Sequence, residues 1–372
     1  MDRMPRVAFA AVALVLPLCP AASLTAQDSL HQEPRRPPGY HALNIGVGGV
    51  GLSIGNSRRW TGLRINFQDN QVEQVNGVGI TIWNAKHNDG MVENGLTLGL
   101  TAPVGGRFTG VTIGGLGAVA DREFRGVNIA GLGLVSNGDM NGVNLSGLGT
   151  VANSSMRGVN VAGLGLVANR GMDGINLSGL GTVSNGRMRG FNVGGLAVVG
   201  NGGVSGISAG GLAVVSNGTM GGITAGGLAV VANRSMWGIS TGGLAVVSNG
   251  SMRGVTGAGL AVVSNGDLTG LAVAGLDVVA NGGVRGVAIG GVHVEGSWIE
   301  GLAVSPIRTR TWDLHGVSIA GYNRMKGDQF GLTIGVYNYA KRLHGVQLGL
   351  INNARNNHGL LRVLPLVNVH LD

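Results

Sequence analysis

From Phe108 onward the large apolar side chains fall three, five, three and five residues apart, at the first, fourth, ninth and twelfth places of a unit that recurs every sixteen residues. The first place holds Phe108, Phe124, Met140, Met156, Met172 and Met188, then Val204, Met220, Met236, Met252, Leu268 and Val284. The fourth is Val, Ile, Leu or Phe; the ninth is Leu from Leu116 to Leu276; the twelfth is Val from Val119 to Val279. Neither a helix, with its period of about 3.6, nor an unbroken two-residue alternation gives those gaps. Short strands joined by bends do. Gly fills the third and eighth places throughout, and in a helix each would cost about 1 kcal/mol.

The pattern predicts an all-β chain wound into a β-solenoid with coils of about sixteen residues. Equivalent residues of successive coils then stack about 4.8 Å apart. The Leu, Val and Met columns are expected to fill a narrow interior, with Gly at corners where φ turns positive or backbones approach. At the fourteenth place stand Asn137, Asn153, Asn169, Asn185, Asn201, Asn217, Asn233, Asn249, Asn265 and Asn281. These are expected to stack their amides as a ladder. The rival is an antiparallel meander closed into an outer-membrane β-barrel, one strand per unit. Its support is the recurring Asn-Gly hairpin signal and a pairwise alternation among the early units. Against it, barrels alternate short turns with long loops and carry aromatic girdles. Here the spacing is uniform, and Phe191 is the one aromatic between Met140 and Thr219.

Composition narrows the class. Gly accounts for 72 of the 372 residues without an every-third spacing, and hydrophobic content is 44% against 12% charged. Collagen and charged disorder are both excluded. At the N-terminus Arg3 and Arg6 precede an apolar run from Val7 to Leu18, the form of a secretory leader. Cleavage after Ala26 removes Cys19, the single cysteine, so no disulfide or thiolate metal site is expected in the mature chain. The organisation expected is a leader over 1–26, a linker over 27–40, irregular repeats over 41–107, regular repeats over 108–297, and irregular repeats with a cap over 298–372. The protein is expected to leave the cytoplasm for the cell surface, the outer membrane or the medium.

The stretch GLTIGVYNYAKRLHGVQLGLINNA, followed by LPLVNVH, resembles the tandem G-φ-x-φ-G-φ-x-N repeats of an uncharacterised family of bacterial surface repeat proteins. The likeness spans most of the chain after the leader. It implies association with a bacterial surface or outer membrane and brings no catalytic residues.

Candidate chemistry sits at the tenth place. It holds Gly or Ala as far as Ala261, then Asp277, His293, Arg308, Asn323, Asn338 and Asn352, with Glu295 close to His293. A carboxylate, an imidazole and a guanidinium on neighbouring coils have the make-up to bind an anion or move a proton. The plainer reading is a surface charge ladder. A second column, at the second place, carries Arg125, Arg157, Arg189, Arg253 and Arg285, and a basic stripe of this kind attracts anionic glycans or lipid headgroups. Envelope glycan, anionic lipid and self-association are the partners considered. Nucleic acid is not expected, because lysines and interleaved aromatics are few and the leader sends the chain out. No catalytic set, metal centre or cofactor is expected. The match of GVGGVG, from Gly46, to the dinucleotide fingerprint is discounted because no amphipathic helix follows it. The leading expectation is a non-enzymatic surface scaffold that works by binding or assembly. An outer-membrane pore and a polysaccharide-binding or polysaccharide-acting β-helix are the alternatives.

Overall fold

The computed structural model describes residues 41–86 and 88–371. The expected leader and linker lie outside the described residues. The chain winds as a β-solenoid of about 17 turns. Consecutive coils pair in parallel, residue for residue: Met140, Met156 and Met172 are register partners, as are Asn144, Asn160 and Asn176. An antiparallel barrel is thereby excluded. Each regular coil has a long strand, such as Ser155–Ala162, and a short one, such as Gly165–Ala168. A bend at places eight and nine and another at fourteen and fifteen join them.

The stack depends on one glycine per coil, from Gly51 to Gly345 at place three, with φ between +94° and +148°. An L side chain rarely adopts that conformation. A Cβ on Gly222 would also collide with the Gly206 carbonyl oxygen of the coil before it. At place eight φ is ordinary, but the same collision recurs, Gly163 against Gly147. Place-three glycines are therefore required twice over, by torsion and by approach.

The interior corrects the expected core. Place one does point inward: the Met column from Met140 to Met252 is buried, and Phe108 stacks on Phe124 with ring centroids 5.4 Å apart. Places four, nine and twelve point outward instead. Leu164, Leu180 and Leu196 are each 46% exposed. The inward set is places one, five, seven, eleven and thirteen, as in Met156, Asn160, Ala162, Leu166 and Ala168. Strand alternation explains the reversal. Once Asn160 and Ala162 face in, Val159 and Val161 must face out. Sheets packed about 10 Å apart leave little room, so the inward places take small residues opposite one large one.

Two amide ladders run along the regular coils. The expected column is present: Asn137 donates to Asp121 at 2.8 Å, and each later Asn donates to the one before it, through Asn281 to Asn265 at 2.8 Å. A second ladder, unforeseen, lies inside. Asn128 donates to Asn144, Asn144 to Asn160, Asn160 to Asn176 and Asn176 to Asn192, at 2.7–2.8 Å, all buried. Beyond it the same column continues as buried Ser208, Thr224, Ser240 and Thr256.

The ends differ. Ala42–Val47 pairs antiparallel with Val50–Gly55 at one end, and Val363–His370 pairs antiparallel with the last coil at the other. Near the N-terminal end the core holds charge. Arg64 Nη2 lies 2.8 Å from Asp69 Oδ1, and both side chains are almost wholly buried. Thr81 Oγ1 donates to Asp69 Oδ2 at 2.8 Å. Glu93 occupies the place-one column, in space that a side chain on Gly79 would fill. Burial first, and then the nearby Asp69 carboxylate, pushes the Glu93 pKa up to about 8.

Two outcomes follow. Gly222→Ala is expected to destabilise by about 2 kcal/mol or more. Gly149→Ala, whose Cβ would have its nearest neighbour at 3.7 Å, should be near neutral; chemical denaturation of both checks this. For Glu93, the unfolded chain ionises above about 4.5 while the folded chain keeps its proton to about 8. Stability therefore falls as pH rises through that window and levels off above it. Glu93→Gln should match the parent near pH 4.5 and exceed it at alkaline pH by a margin on the order of a few kcal/mol, read from melting curves.

Candidate functional site

The outer face of the short strands carries the place-ten and place-twelve columns. Through the regular coils it is Gly or Ala beside Val. At its C-terminal end it turns polar, and the structure brings the expected residues together there. Asp277 pairs with His293, and His293 with Arg308, one per coil. Glu295, two residues after His293, faces the same way: its Oε2 lies 3.6 Å from His293 Nε2, and its Oε1 lies 3.5 Å from Arg310 Nη1. Burial lowers the His293 pKa, the Arg308 and Arg310 charges lower it further, and Glu295 and Asp277 act against them. The imidazole is therefore neutral at neutral pH, which leaves Glu295 with Arg310 as its cationic neighbour. His293 Nε2 and Arg308 Nε are both buried without a hydrogen-bond partner.

The column does not continue as its sequence count implies. Arg308 pairs with Tyr322, while Asn323 pairs with buried Thr309. The register shifts between Ser305 and Arg308, and one residue of slip turns a side chain from one sheet face to the other. Asn323, Asn338 and Asn352 consequently form an internal ladder, Asn323 donating to Asn338 at 2.8 Å and Asn338 to Asn352 at 2.7 Å. Sequence reasoning missed Arg310, Arg324 and Lys326, which join Arg308 on the outer face. The alternation in RTRTW, from Arg308, was the available signal.

The Arg column at place two lies outward on the long strands, but it is not a continuous basic stripe. Register places Asn141 between Arg125 and Arg157, and Asp173 between Arg157 and Arg189. Arg125 Nη2 pairs with Glu123 at 2.9 Å, and Arg285 Nε with Glu300 at 2.9 Å. Arg253 stands beside Trp237. Intervening carboxylates and neutral residues divide the column into separate short-range charges.

A larger asymmetry surrounds both columns. From Phe108 to Leu276 every charged side chain falls at places fourteen, fifteen, sixteen or two. The rest of the circumference, places three to thirteen, presents Val and Ile on the long strand, a Leu ridge at the bend, and Gly, Ala and Val on the short strand. Ile207, Ile223 and Ile239 are 45–47% exposed, much like the Leu ridge. The solenoid is thus amphipathic around its axis, with one polar arc and one apolar arc. Near the C-terminal end the apolar arc runs into an open groove of about 670 Å³, lined by Val304, Ile319, Ile334, Leu348 and Leu366 among others. Among the described residues no three His, Cys, Asp or Glu side chains gather to hold a metal ion.

The His293 environment sets a titration. Its imidazole should titrate below the ordinary value near 6.5. Glu295→Gln should lower the pKa further and Arg308→Ala should raise it, as followed by NMR of the imidazole protons. No family model, curated protein or solved structure matches the chain, so the reading of these columns rests on their geometry.

Proposed function

We infer that the protein is an exported, non-enzymatic scaffold that acts at a bacterial envelope by assembly, one copy lying against another along the apolar arc. The observation that carries this reading is the confinement of charge to one side of the circumference while rows of Leu, Ile and Val stand half exposed on the other. The regular coils extend over roughly 50 Å, and a four-residue face is roughly 13 Å across. One face therefore offers on the order of 700 Å², close to the ~800 Å² per partner of a stable interface and more than soluble monomers ordinarily leave uncovered. The leader-like N-terminus and the likeness to bacterial surface repeats support the location.

Two measurements test it. Fractionation with N-terminal sequencing should find the protein in the envelope or the medium, beginning at Gln27. Recovery from the cytoplasm with Met1 intact would refute the location. A Leu164→Ser, Leu180→Ser, Leu196→Ser variant should keep its melting temperature within a few degrees, because these side chains line no core, yet lose self-association in sedimentation. A parent protein that is monomeric at high concentration, or a variant that assembles like the parent, would sink the assembly reading.

A further inference from the structure

We propose that the C-terminal part of the short-strand face is a binding site for clustered phosphate groups. This site is independent of the apolar arc. Four cations stand together there on two successive coils: Arg308 and Arg310 on one, Arg324 and Lys326 on the next. Arg310 and Arg324 are direct register partners. Like charges on facing positions of adjacent strands repel at about 5 Å, and the regular coils from Phe108 to Leu276 place no charge on this face. Lys341 and Arg355 follow on the next turns, with Arg355 seated over Tyr339 at 5.9 Å.

The carboxylates do not balance this charge. Glu295 pairs with Arg310 alone of the four. Asp277 lies at the border, two coils from Arg308. Asp313 accepts a hydrogen bond from the Asp328 amide at 2.8 Å and serves the backbone. Burial and the surrounding Arg310 and Arg324 charges lower the Lys326 pKa, the expected response of an ammonium crowded by like charge. A fold that only needed solubility would intersperse acids here, so the crowding is an electrostatic cost that a bound anion relieves.

The aromatic residues define what kind of anion. Arg308 sits over Tyr322 at 5.9 Å and Lys326 over Trp312 at 5.4 Å, while Tyr322 stacks on Tyr337 with centroids 5.2 Å apart. These ring faces hold cations or one another, which fixes the charged heads and leaves those faces closed to a base or a sugar. Recognition therefore falls to charge and to the guanidinium fork, which suits phosphate oxygens bidentately. Arginines on adjacent strands call for phosphates that are closely spaced, as in a short oligophosphate or in neighbouring lipid headgroups.

The test uses the mature protein and an Arg324→Ala, Lys326→Ala variant, with Arg187→Ala, Arg189→Ala on the polar arc as control. At low salt the parent and the control should bind tripolyphosphate in calorimetry, and the Arg324, Lys326 variant should bind roughly tenfold more weakly or worse. Its melting temperature without ligand should equal or exceed the parent's, since like-charge repulsion is relieved; a purely structural role predicts a loss. Co-sedimentation with phosphatidylglycerol vesicles but not phosphatidylcholine vesicles assigns the phosphates to headgroups, and tripolyphosphate binding without vesicle binding assigns a soluble source. Equal affinity of parent and variant, or no binding by the parent, overturns the proposal. So does a single-stranded oligonucleotide that binds far more tightly than tripolyphosphate and resists salt, because base contacts would then dominate.

Discussion

Each coil hydrogen-bonds to the next in parallel and without slip, so a residue's neighbours above and below are the residues one period away. That register depends on the place-three glycine, whose positive φ lets each backbone approach the carbonyl of the coil before it. Everything else is inherited from it. Met stacks on Met, Asn on Asn, and a substitution that suits one coil is repeated along the column. The arrangement also concentrates consequences, because a group that repels or fails to pair meets its own kind in the next coil.

The two amide ladders show how polarity is handled inside and out. The exposed ladder donates toward the N-terminal neighbour, the buried one toward the C-terminal neighbour. Outside, a broken ladder is repaired by water. Inside, an unpaired amide bears its full desolvation cost, so the buried row has to hand over to something. Asn192 reaches Ser208 at 3.4 Å, after which smaller hydroxyls and finally Ala272 and Ala288 fill the column. The buried Arg64–Asp69 pair and the protonated Glu93 are the exception, a charged core at the N-terminal end where the repeat is irregular.

Much of this was legible in the chain. The period, the parallel stacking and the Asn ladder at the fourteenth place all follow from spacing. The identity of the core did not. Leu180 and Val183 are the kind of residue usually placed inside, yet they face out, because Met172, Asn176, Ser178, Thr182 and Ser184 already fill a narrow interior. Hydrophobicity misled in a fold whose interior is only two side chains deep. The confinement of charge to one arc was present in the sequence as well, and it marks the outer face more reliably than apolarity marks the inner one.

A repeat length belongs to the chain itself, so the sequence by itself determined which residues share a column and hence which are stacked partners. Only the tertiary structure decided which columns face in, because facing depends on where the chain bends and on strand parity, and one residue reverses it. The slip between Ser305 and Arg308 is the clearest case. It sends Asn323 inward, leaves Tyr322 beside Arg308, and gathers on one face cations that the linear order keeps apart.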